Sequence, residues 1–210
     1  MRIKAVIFDL DGVLVNAAEW HFVALNRALG LFGFCVEREE HERFYNGLPT
    51  QMKLEHLSQQ KSFPRQLHSS VHQLKQKYTQ EAILSLCAED FEKLDMLRRL
   101  KADGYQLAAC SNAVSQAVRL MLQKAGISPF LEFFLSNEDV DQAKPDPEIY
   151  LQAFKKLNAL PSECLIVEDS VHGRKAARAS GGAVLEVSRY SEVNYPFVRE
   201  GLRRHEAERT

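Results

Sequence analysis

Short apolar runs alternate with amphipathic segments from Phe91 onward, and one further apolar run lies near the N-terminus. This alternation predicts a parallel sheet with helical crossovers. The predicted strands are Ala5–Phe8, Gln106–Cys110, Phe133–Leu135, Cys164–Val167 and Ala183–Val187. The predicted helices of this part are Phe91–Ala102, Val114–Ala125, Pro147–Leu157, Gly173–Ser180 and a last one, frayed at its end, within Phe197–Thr210. We therefore expect an α/β fold with a Rossmann-like parallel sheet core flanked by helices.

The stretch from Asn16 to Leu84 has a different pattern. Its apolar residues recur mostly at helical spacing, and Gln, His, Lys and Glu fill many positions between them. The predicted helices here are Glu19–Gly30, Glu37–Tyr45, Thr50–Gln59 and Pro64–Leu84. A turn precedes the helix Thr50–Gln59, and we expect Thr50 to be the N-cap of this helix. No central strand is predicted, so residues 16–84 are interpreted as a helical insert, and residues 1–15 and 85–210 as the α/β core.

Length and composition limit the possible functions. The 210 residues have room for one core and a small insert. The 27 basic and 28 acidic residues give a net charge of −1, which argues against nucleic acid or a membrane surface as partner. The apolar run at the N-terminus is too short for a signal peptide or a membrane span, so we expect a cytoplasmic protein. We also expect a monomer or a weak homodimer.

Cysteine usage indicates neither a zinc site nor a disulfide framework. The residues Cys35, Cys87, Cys110 and Cys164 are widely spaced and include no Cys-x-x-Cys pair. We interpret all four as small core residues. The histidines His41, His56, His68 and His72 have no metal-ligand spacing either, and we interpret them as surface residues of the insert.

The first predicted strand ends in two acids and a glycine, Asp9, Asp11 and Gly12. Ligands of open α/β sheets bind outside the carboxyl ends of the strands, so both carboxylates are expected to project into a crevice while Gly12 lets the chain turn away. Two acids at this point suggest a metal ion and a nucleophile. An Asx-type turn after the strand is the alternative, because Asp and Gly are ordinary turn residues.

Polar groups also follow other predicted strands. Ser111 and Asn112 can donate hydrogen bonds to a phosphoryl oxygen, or serve as helix caps. Lys144 lies in a Lys-Pro-Asp-Pro stretch that would hold its ammonium beside a phosphate, although most lysines are solvated surface residues. Glu168 and Asp169 could complete an octahedral magnesium site opposite the first strand, or only favour the helix dipole.

These stretches resemble four motifs of the haloacid dehalogenase-like hydrolases, in the phosphatase branch that includes phosphoglycolate phosphatase and β-phosphoglucomutase. The first is Phe-Asp-Leu-Asp-Gly-Val-Leu-Val from Phe8, and the second is carried by Ser111. The third is Lys-Pro-x-Pro from Lys144, and the fourth is Glu-Asp-Ser-x-x-Gly from Glu168. The motifs occur in the family's order and span most of the chain, which makes the resemblance far more specific than any one motif.

The resemblance implies a phosphatase that uses Mg²⁺ and forms an aspartyl phosphate on a small phosphorylated metabolite, such as a sugar phosphate or phosphoglycolate. This small phosphorylated metabolite would be the partner that the chain binds. Asp9 would be the nucleophile and Asp11 the general acid and base, with Lys144 neutralising charge and Ser111 binding the phosphate. The metal ligands would be Asp9, the Asp11 backbone carbonyl and Asp169, with Glu168 either a ligand or an acceptor behind the ligands. The insert would be the family's cap domain.

Three residues of the insert are candidates for substrate contact. His21 is at a position similar to a histidine of relatives, and either touches the site or is a helix-face residue near a hinge. Thr50 and Lys53 follow the turn at which relatives reach the substrate, and the alternative is that they only cap and solvate a helix. Sugar phosphomutases present an arginine there to a second phosphate, and this chain has no arginine between Arg43 and Arg65.

Two alternatives to the phosphatase remain at this point. A sugar phosphomutase of the β-phosphoglucomutase type would use the same scaffold, and the missing arginine argues against it. A phospho-accepting receiver module also combines acids, a hydroxyl and a lysine around magnesium. A receiver is too short to need the insert, and it has no dedicated acid two residues after its phosphorylated aspartate.

Overall fold

The computed structural model describes residues 2–207, and within them the strands form one parallel sheet. The strands are β1 (Ala5–Phe8), β2 (Gln106–Cys110), β3 (Phe133–Leu135), β4 (Cys164–Glu168) and β5 (Ala183–Glu186). Their order across the sheet is β3-β2-β1-β4-β5, and every adjacent pair is parallel. The expected Rossmann-like α/β fold is therefore confirmed, and each predicted strand is present to within one residue.

The central strand β1 is shielded on both faces and both edges. All four of its side chains are fully buried, and β1 pairs with β2 on one side and β4 on the other. This explains the continuous apolar run from Ala5 to Phe8, because a strand covered on both faces has no position for a polar side chain. In register, Phe8 lies opposite Ala109 and Val167, so β1, β2 and β4 end at the same edge of the sheet.

Helices cover both faces of the sheet and build a separate layer in the insert. They are α1 (Ala18–Gly30), α2 (Arg38–Glu40), α3 (Thr50–Lys61), α4 (His68–Leu86), α5 (Phe91–Ala102), α6 (Ser115–Lys124), α7 (Glu148–Leu157), α8 (Val171–Ser180) and α9 (Tyr195–Ala207). One apolar cluster packs α5, α6 and α9 on one face of the sheet, and another packs α7 and α8 on the opposite face. A sheet covered by helices on both faces is the arrangement expected of strands that alternate with crossover helices.

The insert has a hydrophobic core of its own. Buried residues of α1, α3 and α4, among them Leu25, Leu57 and Val71, form a cluster distinct from those of the sheet. The division into a core and a cap at residues 16–84 remains a prediction, and this separate cluster supports it.

Three local predictions in the insert were wrong. The segment expected as one helix to Tyr45 is a short α2 followed by a π-helical turn, His41–Tyr45. His41 is buried rather than on the surface, and its ring packs against those of Phe22 and Tyr45. Thr50 is the first residue of α3 and not its N-cap, because Pro49 occupies the cap position and Thr50 makes no side-chain cap bond.

Other predictions meet the structure in different ways. Cys35 is exposed and is therefore not a core residue, whereas the other three cysteines are buried. The predicted fraying at the C-terminus falls on residues 208–210, outside the described residues. Among residues 2–207, no helix is both long and apolar enough to span a lipid bilayer. The cytoplasmic location and the oligomeric state stay predictions.

Candidate active site

The carboxyl end of β1 places Asp9 and Asp11 in one pocket. Asp9 continues the sheet through its backbone N–H, which donates to the Val167 carbonyl at 2.9 Å. Gly12 then turns the chain at φ +90°, and a Cβ there would collide with the carboxylate of Asp169. Glycine is therefore required for two reasons, the left-handed backbone and the close approach of Asp169. The turn brings the carboxylates that follow β1 and β4 together.

Lys144 connects these carboxylates. Its Nζ donates to Asp9 Oδ1 at 2.7 Å, to Glu168 Oε1 at 2.6 Å and to the Cys110 carbonyl at 2.8 Å. The lysine is 2% exposed, so it is not the solvated surface residue of the alternative interpretation. Burial alone would lower the pKa of its ammonium, but the carboxylates of Asp9 and Glu168 outweigh burial and raise this pKa. Lys144 thus stays charged across the physiological range.

The carboxylates outnumber the cation that neutralises them. Oxygens of Asp9, Glu168 and Asp169 lie within 4.8 Å of one another, with Lys144 as their paired ammonium. Burial and then the charge of Glu168 raise the pKa of Asp9 well above its usual range, and the same causes raise that of Asp169 to about 7. Asp169 Oδ1 is buried and has no hydrogen-bond partner among the described residues. Oxygen ligands in excess of the available cations are the donor set that a hard divalent cation prefers.

Tyr150 is a site residue that sequence reasoning missed. Its hydroxyl donates to Glu168 Oε1 at 2.6 Å, the same oxygen that accepts from Lys144, and its ring lies 4.8 Å from the Lys144 ammonium. Glu168 is fully buried, and Tyr150 and Lys144 together fix its orientation. Tyr150 lies on the apolar face of α7, so the pattern marked it as core and gave no sign of its hydroxyl's role.

Asn112 links the core to the turn before α3. Its Nδ2 donates to the Gly47 carbonyl at 2.7 Å and to the Lys144 carbonyl at 3.0 Å, and its Oδ1 accepts from the Lys144 backbone N–H. The amide group therefore holds the lysine loop and the insert turn together. Its predicted contact with a phosphoryl oxygen stays a prediction, and both of its amide hydrogens are already donated to backbone carbonyls.

Asp11 is hydrogen-bonded on both of its carboxylate oxygens. Oδ1 lies 2.8 Å from His21 Nε2, and Oδ2 accepts from Ser111 Oγ at 3.2 Å. His21 Nδ1 in turn lies 3.1 Å from Nζ of Lys75, which makes Nε2 the protonated nitrogen when the ammonium donates. Burial would raise the pKa of Asp11, but His21, Lys75 and the hydrogen bond from Ser111 together outweigh burial and lower this pKa. His21 therefore does contact the site, and Ser111 is not the cap of α6, which is Val114.

Lys75 is a second residue that sequence reasoning missed. It lies on α4 and is 6% exposed, within the buried stripe Val71, Lys75, Thr79 and Ile83. The four-residue spacing of this stripe is the signal that could have identified it, because a lysine at an apolar position of a helix is buried for a reason. Burial lowers its pKa to about 8.

One pocket collects most of the predicted residues. The predicted site residues among those lining it are Asp9, Asp11, His21, Thr50, Lys53, Asn112, Lys144 and Asp169. Ser111 and Glu168 lie behind this lining and contact it through hydrogen bonds to Asp11 and Lys144. The geometry therefore brings all ten predicted residues into one site, while their individual roles remain proposals.

The Lys53 ammonium gives a prediction on stability. Burial, followed by the charge of Lys75, lowers its pKa to about 7 from an ordinary value of 10.5, and Asp11 opposes this shift. Below about pH 7 the lysine is charged in both states and the burial penalty is fully present. Above that pH the folded lysine loses its proton before the unfolded one does, so the free energy of unfolding rises with pH. Lys53→Met should therefore raise Tm more at about pH 6 than at about pH 9.

The measurement is thermal unfolding of both proteins at the two pH values. Lys77→Met is the matched control, because Lys77 is an exposed residue of α4. For the control, the difference in Tm from the parent chain should not change with pH. A pH-independent difference for Lys53→Met would show that Lys53 titrates normally.

Fold and site together define a class, the α/β enzymes whose chemistry lies at the carboxyl edge of a parallel sheet. A sequence model of the haloacid dehalogenase-like hydrolases matches residues 6–187, and the chain belongs to this family. The resemblance seen in the four motifs is thereby confirmed, as is the expectation of an enzyme. The alternative of a receiver module is not supported.

Relatives of the chain include a protein named as a phosphatase and others named as β-phosphoglucomutases. The chain is 28% identical over 184 residues to the phosphorylated carbohydrates phosphatase of Thermotoga maritima, with 85% of this chain and 82% of that protein covered. It is also 28% identical over 185 residues to the β-phosphoglucomutase of Bacillus subtilis, with 85% and 80% covered. The crystal structure of β-phosphoglucomutase from Clostridium difficile matches with a TM-score of 0.84 at 20% identity, over 98% of this chain and 99% of that one. This last likeness concerns the fold alone.

Proposed function

We propose that the protein is a phosphatase that hydrolyses a small phosphorylated metabolite through an aspartyl-phosphate intermediate on Asp9. One observation carries the proposal, the buried Lys144 that binds Asp9 and Glu168 beside Asp169 and Asp11 in a single pocket. A nucleophilic carboxylate, a fixed ammonium and an acid two residues away are the groups that a two-step phosphoryl transfer requires. Family membership and the named relatives support the same reaction class.

In the first step a carboxylate oxygen of Asp9 forms a bond to phosphorus while the bond to the leaving oxygen breaks. Asp11 gives its proton to that leaving oxygen. In the second step Asp11 takes a proton from water, whose oxygen bonds to phosphorus as the bond to Asp9 breaks. The product is inorganic phosphate; Asp9 is a free carboxylate again, and Asp11 holds the proton with which the first step began.

Asp11 needs a different protonation state in each step. In the free enzyme, burial opposes the charged form of Asp11, but His21, Lys75 and Ser111 together lower its pKa and hold it as the carboxylate, the form that accepts the proton of water. For the first step it must be protonated, and the negative charge of a bound phosphate favours this by raising the pKa of a neighbouring carboxyl group. Substrate binding is thus expected to favour protonation of Asp11, which then gives this proton to the leaving oxygen.

The donor set at the end of β1 and β4 suits Mg²⁺. Asp9, Asp169 and the Asp11 backbone carbonyl would hold the ion, and Glu168, engaged by Lys144 and Tyr150, would orient the lysine behind them. When bound, the ion would neutralise charge on the phosphoryl oxygens. Lys144 supplies a second fixed positive charge on the same side of the pocket.

The proposal is tested by phosphate release from p-nitrophenyl phosphate with MgCl₂ and with excess chelator. We expect turnover with magnesium, loss of turnover with chelator and recovery when magnesium is restored, because Asp9 and Asp169 repel an incoming phosphate unless a cation balances them. The control is thermal unfolding in both buffers, which must show that the chain is still folded in chelator. Full activity in chelator would contradict the metal requirement.

A sugar phosphomutase is the second candidate, favoured by the identity to a named β-phosphoglucomutase. Against it stands the absence of arginine between Arg43 and Arg65. With a hexose 1-phosphate and a trace of hexose bisphosphate, a phosphatase releases phosphate and a mutase accumulates the 6-phosphate. We expect phosphate release, and accumulation of the isomerised product would replace the first proposal by the second.

A further inference from the structure

The turn before α3, residues 46–49 and called the insert turn from here on, contacts the core on two sides of Gly47. The Gly47 carbonyl accepts from Asn112 Nδ2 at 2.7 Å. The Gly47 backbone also lies so close to Ser170 that an added Cβ would be 2.7 Å from Ser170 Oγ. Asn112 follows β2 and Ser170 follows β4, so Gly47 contacts residues beyond the two strands that flank β1.

Each of these core residues holds one partner of the Lys144–Glu168 ion pair. Asn112 holds Lys144 by its main chain, because Oδ1 accepts from the Lys144 N–H and Nδ2 donates to the Lys144 carbonyl, each at 3.0 Å. Ser170 holds Glu168 by its carboxylate, because the serine hydroxyl donates to Oε2 at 3.3 Å. The insert turn therefore contacts both residues that hold the ion pair.

The buried ion pair has a fixed geometry that these contacts complete. Lys144 is 2% exposed and Glu168 is fully buried, and Oε1 of the glutamate already accepts from the lysine and from Tyr150. A buried ion pair is favourable only when its geometry and its remaining hydrogen bonds are good. A shift of Ser170 or of Asn112 therefore moves the ammonium that binds the nucleophile, and a misplacement of about 1 Å can lower a rate by roughly 10²-fold.

We propose that the insert turn, when seated on the core, positions the Lys144–Glu168 ion pair. Asn112 and Ser170 transmit this contact, and the ammonium reaches its place at Asp9 only while the turn is seated. Asn112 is then a positioning residue that acts through Lys144, and not a ligand of the transferring phosphate. The inference rests on the proposed function, in which Lys144 neutralises charge at Asp9, and it identifies what holds that lysine in place.

Two glycines of the insert form a matched pair for the test. Gly47 and Gly33 have nearly the same backbone conformation, with φ of +78° and +77°, so alanine is strained to a similar degree at both. At Gly47 the added Cβ collides with Ser170, whereas at Gly33 it meets no atom of the described residues within 4 Å. Comparison of Gly47→Ala with Gly33→Ala therefore separates the contact with the core from backbone strain.

Hydrogen exchange followed by mass spectrometry reports on the ion pair without any turnover. In Gly47→Ala, the peptides containing Lys144 and Ser170 should exchange roughly tenfold faster than in the parent chain, because the hydrogen bonds of both backbone N–H groups are loosened. Gly33→Ala should leave both peptides unchanged, and the two variants should have similar Tm. Exchange at the parent rate in folded Gly47→Ala would overturn the inference.

Asn112→Ala is the second variant if Gly47→Ala does not fold. It removes the bond to the Gly47 carbonyl and thereby unseats the insert turn from the other side. The peptide to follow is then the one containing Ser170, which lies across Gly47 from the substituted residue. Its exchange should again rise roughly tenfold. An unchanged rate for this peptide would show that the turn does not hold Ser170, contrary to the inference.

Kinetics with p-nitrophenyl phosphate separates positioning from phosphate binding. Gly47→Ala and Asn112→Ala should each lower kcat by about tenfold to hundredfold. Because both act through the seated turn, the double variant should lose little more than the stronger single one, and Gly33→Ala should keep the parent kcat. A phosphate ligand at Asn112 would instead give a raised KM and losses that multiply in the double variant, and this result would reject the positioning role.

The two proposals fail in different ways. If the parent chain releases no phosphate from any substrate, the proposed phosphatase is wrong, while hydrogen exchange of Gly47→Ala and Gly33→Ala still decides whether the insert turn positions the ion pair. If the parent chain is active and Gly47→Ala keeps both its kcat and the exchange rates of the parent, the phosphatase stands and the inference on the insert turn is wrong.

Discussion

Asp9→Asn should abolish phosphate release, with a loss on the order of 10⁵-fold or more, as for removal of other catalytic nucleophiles. A carboxamide does not attack phosphorus, and it removes one of the negative charges that the metal site requires. The fold should survive, because Lys144 keeps its bonds to Glu168 and to the Cys110 carbonyl. The measurement is steady-state phosphate release with magnesium, on p-nitrophenyl phosphate and on the best metabolite found.

Asp95→Asn is the matched control for this substitution. Asp95 lies on the surface of α5, paired with Arg98 and Arg99, far along the chain from the site. It should retain full activity and an unchanged Tm. If Asp9→Asn retained the activity of the parent chain, Asp9 would not be the nucleophile, and the intermediate would have to form elsewhere.

The strands and their strand-end chemistry could be predicted from the sequence, because both depend on short-range pattern. A run such as Ala5–Phe8 has few alternatives to a doubly covered strand, and parallel strands must end at one edge. The sequence alone therefore predicts that the acids after β1 and β4 meet at this edge. What the pattern could not give was their partners, since the pairing of Lys144 with Glu168 depends on how the loop after β3 folds back.

Lys75 and Tyr150 were missed because a periodic pattern reports burial and not chemistry. On α4 the lysine occupies a position that an apolar residue would normally fill, and on α7 the tyrosine is one of several apolar residues on the buried face. Their hydrogen bonds cross from one element to another, to His21 and to Glu168. His41 was misplaced for a related reason, since the pattern gave no sign that its ring packs against Phe22 of α1.

Asp11→Asn should lower activity by about 10²-fold to 10⁴-fold, the usual contribution of a general acid and base. The asparagine has the shape of the aspartate, so His21 Nε2 can still donate to its carbonyl oxygen, and its amide can donate to Ser111 Oγ. The backbone carbonyl of residue 11 is unchanged, so the magnesium concentration for half-maximal activity should change little. The substitution thus removes proton transfer and leaves the surrounding contacts in place.

The leaving group separates this role from a merely structural one. p-Nitrophenolate leaves without a proton, so the first step on p-nitrophenyl phosphate needs little help from an acid, whereas an alkyl alkoxide must be protonated as it departs. Asp11→Asn should therefore lose more activity on 2-hydroxyethyl phosphate or a sugar phosphate than on p-nitrophenyl phosphate. Equal losses on both would indicate damage to the site as a whole, and full turnover on the alkyl phosphate would assign the acid to another residue, with His21 the nearest candidate.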